Sequence, residues 1–177
     1  MPLLAAALLA ALQGPGDKEE IFGLEAWFIA TDFDEDIGID AEAGGIVDLN
    51  FRWRKTRTRF GFSIGAGIWD AETTGAADLD VDVFQYRAGF GAEFPFSAVE
   101  LGLGATVGLY DFESDADDDR APFFEAEFSV GWRPIPQLKI GGLLSITHTQ
   151  SSFGTSSTHL YTNFSAGLGI ELTLTED

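Results

Sequence analysis

Apolar and polar residues alternate along most of the chain, and the pattern is clearest near the C-terminal end. There, one face carries Leu160, Phe164, Ala166, Leu168, Ile170, Leu172 and Leu174, while polar residues and glycines lie between them. A period of two is typical of a β-strand, because successive side chains point to opposite faces of a sheet. The alternation predicts eight strands: Ile21–Thr31, Gly45–Trp53, Thr58–Trp69, Val83–Phe94, Ala98–Tyr110, Phe123–Arg133, Gln137–Thr149 and His159–Leu174.

The predicted strands are long and their connections alternate in length. Most contain ten residues or more, which suits a tilted membrane-crossing strand of about 9–11 residues. Tight turns are predicted at 54–57, 95–97 and 134–136, and long polar loops at 32–44, 70–82, 111–122 and 150–158. Short connections at one end and long connections at the other indicate an up-and-down meander.

This combination of even strand number, short turns and long loops resembles the eight-stranded outer-membrane barrels of Gram-negative bacteria, the group of OmpA, OmpX, OmpW and NspA. The resemblance covers residues 17–177 and is one of pattern, not of a fixed motif. It implies an all-β fold: an eight-stranded antiparallel up-and-down transmembrane β-barrel. It also implies a monomer in the bacterial outer membrane, with both termini in the periplasm and with outer-membrane lipid and lipopolysaccharide as partners.

The polar face is rich in glycine, which indicates that it points into the barrel. Glycine weakens a strand at a solvated surface, whereas inside a narrow barrel it leaves room for long side chains opposite. The glycines of this face are Gly61, Gly65, Gly67, Gly89, Gly91, Gly102, Gly104, Gly108, Gly141, Gly167 and Gly169. The competing interpretation is a secreted lipocalin-like carrier, in which the apolar face would instead surround an apolar ligand.

Charges of both signs lie on the same polar face. They are Glu25, Asp48, Arg52, Arg59, Arg87, Glu93, Glu100, Glu125, Glu127, Arg133, Lys139 and Glu171. Buried charges need partners, so we expect these side chains to form a paired polar network that fixes the barrel. A rearrangeable gate on a narrow water or ion path is the functional alternative.

Aromatic residues on the apolar face fall into two groups, as expected for the girdles of a membrane barrel. The group near the tight turns is Phe22, Phe51, Trp53, Phe60, Phe94 and Trp132. The group near the long loops is Phe28, Phe84, Tyr86 and Phe124. These two groups favour lipid outside the barrel over an apolar ligand inside it.

Composition and the N-terminal segment restrict the function further. The net charge of −19 argues against nucleic-acid binding, which needs a basic patch. With no cysteine the chain has no disulfide and no thiolate metal site. The apolar run 2–12 and the breaker at 14–16 predict a signal-peptide-like segment over residues 1–16, with a buried helix as the alternative. The barrel domain is then residues 17–177.

Two acidic segments are candidates for weak Ca²⁺ or Mg²⁺ binding. Their alternating carboxylates are Asp32, Asp34, Asp36, Asp40, Asp115, Asp117 and Asp119. The first segment superficially resembles an EF-hand loop, but its glycine, Gly38, falls one place late and Ala43 stands where the bidentate Glu is needed. The alternative is a solvated acidic surface.

No catalytic residues and no cofactor are predicted. Lipid-modifying enzymes share this architecture, and one such family carries a His-x-Ser pair near the rim. His148 is followed by Thr149 and Gln150, so no serine stands at that offset. A lipid-modifying outer-membrane enzyme therefore remains only the second alternative to a barrel with a structural, surface-interaction or minor solute-passage role.

Overall fold

The structure, a computed structural model, describes residues 20–32, 39–41, 43–55, 58–73, 80–114, 118–151 and 159–176. The predicted signal-like segment 1–16 lies outside these residues. Within the described ranges, no helix is long and apolar enough to cross a membrane.

Nine strands make up the described chain. They are β1 (Glu20–Asp32), β2 (Ile39–Ala41), β3 (Ala43–Lys55), β4 (Thr58–Thr73), β5 (Asp80–Phe96), β6 (Val99–Ser114), β7 (Asp118–Ile135), β8 (Leu138–Ser151) and β9 (His159–Glu176). Strands β2 and β3 are separated by one residue and both pair with β4, so they occupy one position in the sheet. The eight predicted strands are thereby confirmed.

The sheet closes on itself. Each strand pairs antiparallel with its neighbour in the chain from β3 through β9, and β1 pairs with both β3 and β9. The pairing of β4 with β5 completes the ring. The protein is therefore an eight-stranded antiparallel up-and-down barrel, as the alternation predicts.

The strands extend further toward the long-loop end than predicted. Strands β4 and β5 pair as far as Glu72 and Asp80, and β6 and β7 as far as Glu113 and Asp118. The predicted loops 70–82 and 111–122 are thus too long, because alternation continues into them: Ala71 and Val81 are buried, while the residues beside them are exposed. The acidic composition of these two segments predicts loops, but the alternation with a period of two continues into them.

The outer surface of the barrel is apolar. Thirty large hydrophobic side chains are exposed on the strands, and Leu160 and Leu168 each reach 72% exposure. Soluble monomers rarely expose a contiguous apolar patch of more than a few hundred Å². Both predicted aromatic groups lie on this face, and Trp53 packs its ring against Phe51, Phe60 and Phe62 with centroids 5.4–6.3 Å apart.

Candidate functional site

The barrel interior is the candidate functional site, and it is built in three levels along the barrel axis. All twelve predicted interior charges point inward. Eight of them form a turn-side cluster, which comprises Arg52, Arg59, Arg133 and Lys139 with Glu25, Glu93, Glu100 and Glu171. The other four, the Arg87 cluster, comprise Arg87 with Asp48, Glu125 and Glu127. Beyond them, toward the long loops, the interior holds an apolar cluster beside buried polar but uncharged side chains.

The turn-side cluster contains equal numbers of acids and bases, and its pairs are short. Lys139 Nζ lies 2.7 Å from a Glu171 oxygen, 2.9 Å from Glu93 and 3.2 Å from Glu25. The Arg52 guanidinium lies 2.5 Å from Glu171 and 3.2 Å from Glu93. Charges this deep in a protein stay ionised only when they are paired and hydrogen-bonded. The cluster therefore cross-links strands that are distant in the chain.

The Arg87 cluster has one cation and three carboxylates. Arg87 donates a hydrogen bond to Glu127, and its Nε and Nη1 lie 3.4 Å from Asp48 and 3.6 Å from Glu125. Thr106 also donates to Glu127, at 2.8 Å. The oxygens at these two distances, Asp48 Oδ1 and Glu125 Oε2, are buried and are reached by Arg87 as ion pairs without a hydrogen bond. The cluster therefore has three carboxyl groups for one guanidinium.

A cavity of about 90 Å³ lies beside the Arg87 cluster. Its polar lining includes Asp48, Asn50, Ser63, Thr106, Glu127 and Ser129. The space exists because glycines line the wall opposite the long side chains. A Cβ at Gly65 would collide with the Asp48 carboxylate, and a Cβ at Gly104 would lie 3.1 Å from Glu127 Oε2. This agrees with the interpretation of the inward glycines as spacers.

The third level, in the loop-side half of the interior, holds an apolar cluster next to buried polar side chains such as Thr149, Ser151 and Asn163. The apolar cluster consists of Trp27, Ile29, Ile46, Trp69, Ala71, Val81, Val83, Tyr110, Phe112, Ala121, Phe123, Leu143 and Tyr161. Tyr110 lies at its centre, with ring centroids 4.7 Å from Phe123, 5.7 Å from Phe112 and 6.2 Å from Trp69. The Tyr110 hydroxyl accepts a hydrogen bond from Gln85 at 3.3 Å and so faces the polar side.

Sequence reasoning did not identify this apolar cluster, because it treated the inward face as polar throughout. The signal is nevertheless present as short runs of consecutive apolar residues, such as 27–30, 46–47, 83–84 and 123–124. A strand that is apolar on both faces shows no alternation. In this barrel such runs occur where one residue is exposed on the apolar outer surface and the next belongs to the apolar cluster inside.

The seven predicted metal-binding carboxylates are not brought together among the residues that the structure describes. Asp34, Asp36, Asp115 and Asp117 lie outside them. Asp32 ends β1, Asp40 lies in β2 opposite Glu72, and Asp119 accepts a hydrogen bond from Ser151 at 2.7 Å. Within the described ranges, no group of three or more His, Cys, Asp or Glu side chains is arranged to hold a metal ion.

Acidic residues also form ordered rows on the outer face near the long loops. Adjacent strands place four carboxylates directly opposite one another across β4 to β7, in the row Asp70, Asp82, Glu113 and Asp118. A shorter row contains Asp40, Glu72 and Asp80. All seven side chains are exposed, and we refer to them as the acidic band. Arg120 lies nearby and pairs with Asp111 at 3.1 Å.

His148 lies on the outer face near the same end and is exposed. Its Nδ1 is 3.0 Å from the hydroxyl of Thr162 on the neighbouring strand. The strand register places Phe124 on its other side. A hydrogen bond between a histidine and a threonine hydroxyl does not by itself make a nucleophile–base–acid triad, which also needs an acid to orient the imidazole.

Together these features define a class of protein: an eight-stranded β-barrel with an apolar exterior and a filled interior that is charged toward the turns and carries an apolar cluster toward the long loops. No family model matches the sequence, and a comparison with curated proteins finds no match. Solved structures of the same fold do match. Neisserial surface protein A (NspA) is 12% identical, with a TM-score of 0.58 over 88% of this chain and 97% of that chain.

Two further structures are similar over their whole length. Ail, the attachment invasion locus protein of Yersinia pestis, is 15% identical, with a TM-score of 0.53 over 90% of this chain and 100% of that chain. A major outer membrane protein from Thermus thermophilus is 9% identical, with a TM-score of 0.52 over 90% of this chain and 100% of that chain. The predicted resemblance to this group of barrels is confirmed at the level of fold.

Proposed function

We propose that this protein is a closed, non-catalytic barrel of the bacterial outer membrane that acts through its outward surfaces. The observation that carries the proposal is the orientation of the barrel, with hydrophobic side chains outside and charged side chains inside. A secreted carrier of an apolar ligand would need the reverse orientation. The cavity of about 90 Å³ is also lined by charges, which do not suit an apolar ligand.

The outer surface supports insertion into a bilayer. Placing Arg or Lys on the lipid face near the midplane costs about 2–4 kcal/mol, and exposed residues midway along the strands, such as Ile64, Leu103 and Leu144, are apolar instead. The structural neighbours NspA and Ail are barrels of the same fold, and the Thermus neighbour is a major outer membrane protein. By the short-turn convention of such barrels, we place the turns and both termini in the periplasm.

The filled interior supports a structural or surface role over solute passage. The apolar cluster lies in the loop-side half, where Phe112, Val83 and Ala121 are completely buried and leave little room beside the polar side chains. A hydrophobic constriction excludes water and therefore resists ions. The balanced turn-side cluster closes the other end with short ion pairs. A continuous water path would require both levels to rearrange.

We propose outer-membrane lipid and lipopolysaccharide as partners, and the acidic band affects how strongly the barrel can contact them. It lies on the outer face at the long-loop end, where an anionic lipid would face like charge. We expect contact with lipopolysaccharide to strengthen with divalent cations in solution, because these would screen both surfaces. One structure of Ail contains a heparin analogue, sucrose octasulfate. The acidic band makes a polyanion of that kind an unfavourable ligand here.

The test is expression in a Gram-negative host, followed by membrane fractionation and gel electrophoresis with and without heating. We expect recovery in the outer-membrane fraction and faster migration of the unheated protein, because the closed barrel stays compact in detergent. Lipid A from these cells should show no change in mass. Full solubility without detergent would contradict insertion, and a lipid A mass shift would revive the enzyme alternative.

A further inference from the structure

We propose that a groove on the outer wall of the barrel binds the alkyl chain of an amphiphile that carries a cationic head group. The groove crosses β7, β8, β9 and β1 and consists of two adjoining cavities, of about 420 Å³ and about 870 Å³. Ala30, Phe128, Leu144 and Ala166 line both of them. Cavities of this size are typical of small-molecule sites. The inference rests on the proposed insertion of the barrel, because the groove then faces lipid chains.

Small residues form the floor of the groove. The strand register places Ala166 directly opposite Leu144 on one side and opposite Ala30 on the other. Gly142 widens the floor, because a Cβ at this position would meet no atom closer than the carbonyl oxygen of Gly167, at 3.7 Å. Two methyl groups and a glycine therefore leave a depression between larger outward side chains.

Larger side chains border this floor at both ends. Toward the turns, Phe28 lies opposite Leu168, and the two are 65% and 72% exposed. Toward the long loops, Phe164 lies opposite Asp32. Asp32 follows Phe28 by four residues in β1, which corresponds to about 13 Å of strand. This length is close to the roughly 15 Å of one half of the hydrocarbon core, so one lipid chain fits the groove lengthwise.

The smaller cavity has an entirely apolar lining. Besides the four shared residues, it is lined by Phe28, Val130, Gly142, Leu143, Gly167 and Leu168. A flexible, unbranched chain can follow such a narrow surface and gain many weak dispersion contacts. Bilayer lipids supply the same hydrocarbon, however, so the chain alone does not distinguish one amphiphile from another. The selectivity has to come from the head group.

The loop-side end of the groove is acidic. Asp32 and Asp40 line the larger cavity and are exposed, whereas no Lys, Arg or His is among the described residues that line either cavity. The remaining polar side chains of the lining point into the barrel, and they are Thr31, Glu127, Ser145 and Ser165. Glu127 is paired there with Arg87. The two outward carboxylates complement an ammonium or guanidinium head group and repel a phosphate or carboxylate.

The experiment measures how strongly the barrel holds three amphiphiles with the same nitroxide-labelled chain, in phosphatidylcholine vesicles at an ionic strength of about 0.1 M. They are an alkyl amine, a fatty acid and a phosphatidylcholine. Electron paramagnetic resonance separates chains held at the protein from chains that are free in the bilayer. We expect the barrel to hold the amine about fivefold more strongly than the phosphatidylcholine, on the scale of one exposed ion pair. The fatty acid should be held less strongly than either.

Two matched pairs of variants locate the site. Ala166→Phe fills the floor and should abolish the preference for the amine, whereas Ala88→Phe, on the exposed outer face of β5 and outside both linings, should retain it. The double variant Asp32→Asn with Asp40→Asn should also abolish the preference. Asp82→Asn with Glu113→Gln removes the same charge from the acidic band and should retain it. Heat-modifiable migration confirms that each variant has folded.

The outcomes that overturn the proposal are distinct. The first is an amine preference that is absent in the wild type, or equal in Ala166→Phe and Ala88→Phe. The second is an equal loss in both double variants, because net charge alone would then attract the amine. If Ala166→Phe dissolves a dimer while the amine preference stays, the groove belongs to a second copy of the chain. Failure of the proposed insertion is recognisable separately, because no label, including the phosphatidylcholine, would then show a held fraction.

Discussion

Arg133 on β7 holds Glu100 on β6 in a two-pronged ion pair, with Nε 3.0 Å from Oε1 and Nη2 3.2 Å from Oε2. The same guanidinium donates to Glu171 and Thr173 on β9 and to the carbonyl of Pro136 in the β7–β8 turn. The planar fork of arginine suits such simultaneous contacts. One side chain therefore joins two strands and a turn at the turn-side end of the barrel.

Replacing this side chain tests how much the turn-side cluster stabilises the fold. Arg133→Ala should lower the free energy of unfolding by about 3 kcal/mol or more, because Glu100 and Glu171 lose a buried partner. Arg133→Lys should restore part of the loss, since a point charge replaces only some of the contacts. Urea titration of the barrel in lipid vesicles measures both.

Arg120 provides the matched control for this prediction. It also pairs with a carboxylate, Asp111, but its side chain is 76% exposed. Arg120→Ala should change stability by no more than about 1 kcal/mol, as is usual for surface ion pairs. Equal losses for the Arg120 and Arg133 variants would show that burial adds nothing to the interior pair.

The inward glycines can be tested by adding a single methyl group. Gly65→Ala places a Cβ against the Asp48 carboxylate and the backbone oxygen of Val47, and should cost about 1–3 kcal/mol. Gly142→Ala is the control, because its nearest neighbour would be 3.7 Å away. The control should fold like the wild type. A tolerated Gly65→Ala would mean that the carboxylate moves freely.

The acidic band predicts a stabilising substitution. Asp82 lies directly opposite both Asp70 and Glu113, and like charges in this position repel. Asp82→Asn should raise the free energy of unfolding by about 0.2–1 kcal/mol. The gain should shrink at high salt, because salt screens exposed charges. A gain that is independent of salt would point to a cause other than repulsion.

The apolar cluster should act as the barrier to ions. Phe112→Ala removes a completely buried ring and should lower stability by about 3–5 kcal/mol. If the variant barrel still folds, it should also raise the leak of K⁺ from protein-containing vesicles above the wild-type level. Phe128→Ala removes a phenyl ring from the outer face instead and should leave the leak unchanged. A large wild-type conductance would contradict the closed interior.

The β5–β6 turn predicts a small gain from glycine. Ser97 has φ of 61°, a left-handed conformation that costs a residue with a Cβ roughly 1–2 kcal/mol. Ser97→Gly should therefore stabilise the hairpin, partly offset by the greater freedom of glycine in the unfolded chain. Ser97→Val should destabilise it, because a branched side chain fits this conformation poorly. Thermal melting of the three proteins in one detergent gives the order.

The alternation of residues was sufficient to predict the strands and the direction of their faces. It placed Glu25, Arg87 and Glu171 inside and Leu168 outside, because a period of two assigns every residue of a strand to a face. It could not reveal that Arg87 has three acidic neighbours while Lys139 belongs to a balanced group. Those groupings depend on strand register and on how far each side chain reaches, neither of which a single strand encodes.

The apolar cluster shows a second limit of the pattern. The alternation predicts only the face of Val83 and places Phe112 in a loop, although the level along the axis decides whether an inward residue meets charges or rings. Strand ends were misplaced for a related reason. Asp82 and Glu113 are typical loop residues, yet they remain in the hydrogen-bonded ladder, and their chain neighbours Val81, Val83 and Phe112 are buried.

The glycine-lined wall makes the interior of this barrel unusually easy to probe. The chain has no cysteine, so a single introduced thiol would be the only reactive sulfur in the molecule. Ser63 lines the cavity, whereas Ile64, the next residue, is 64% exposed on the apolar exterior. A spin label or fluorophore moved by one position would report on the polar interior in one protein and on the surrounding lipid or detergent in the other.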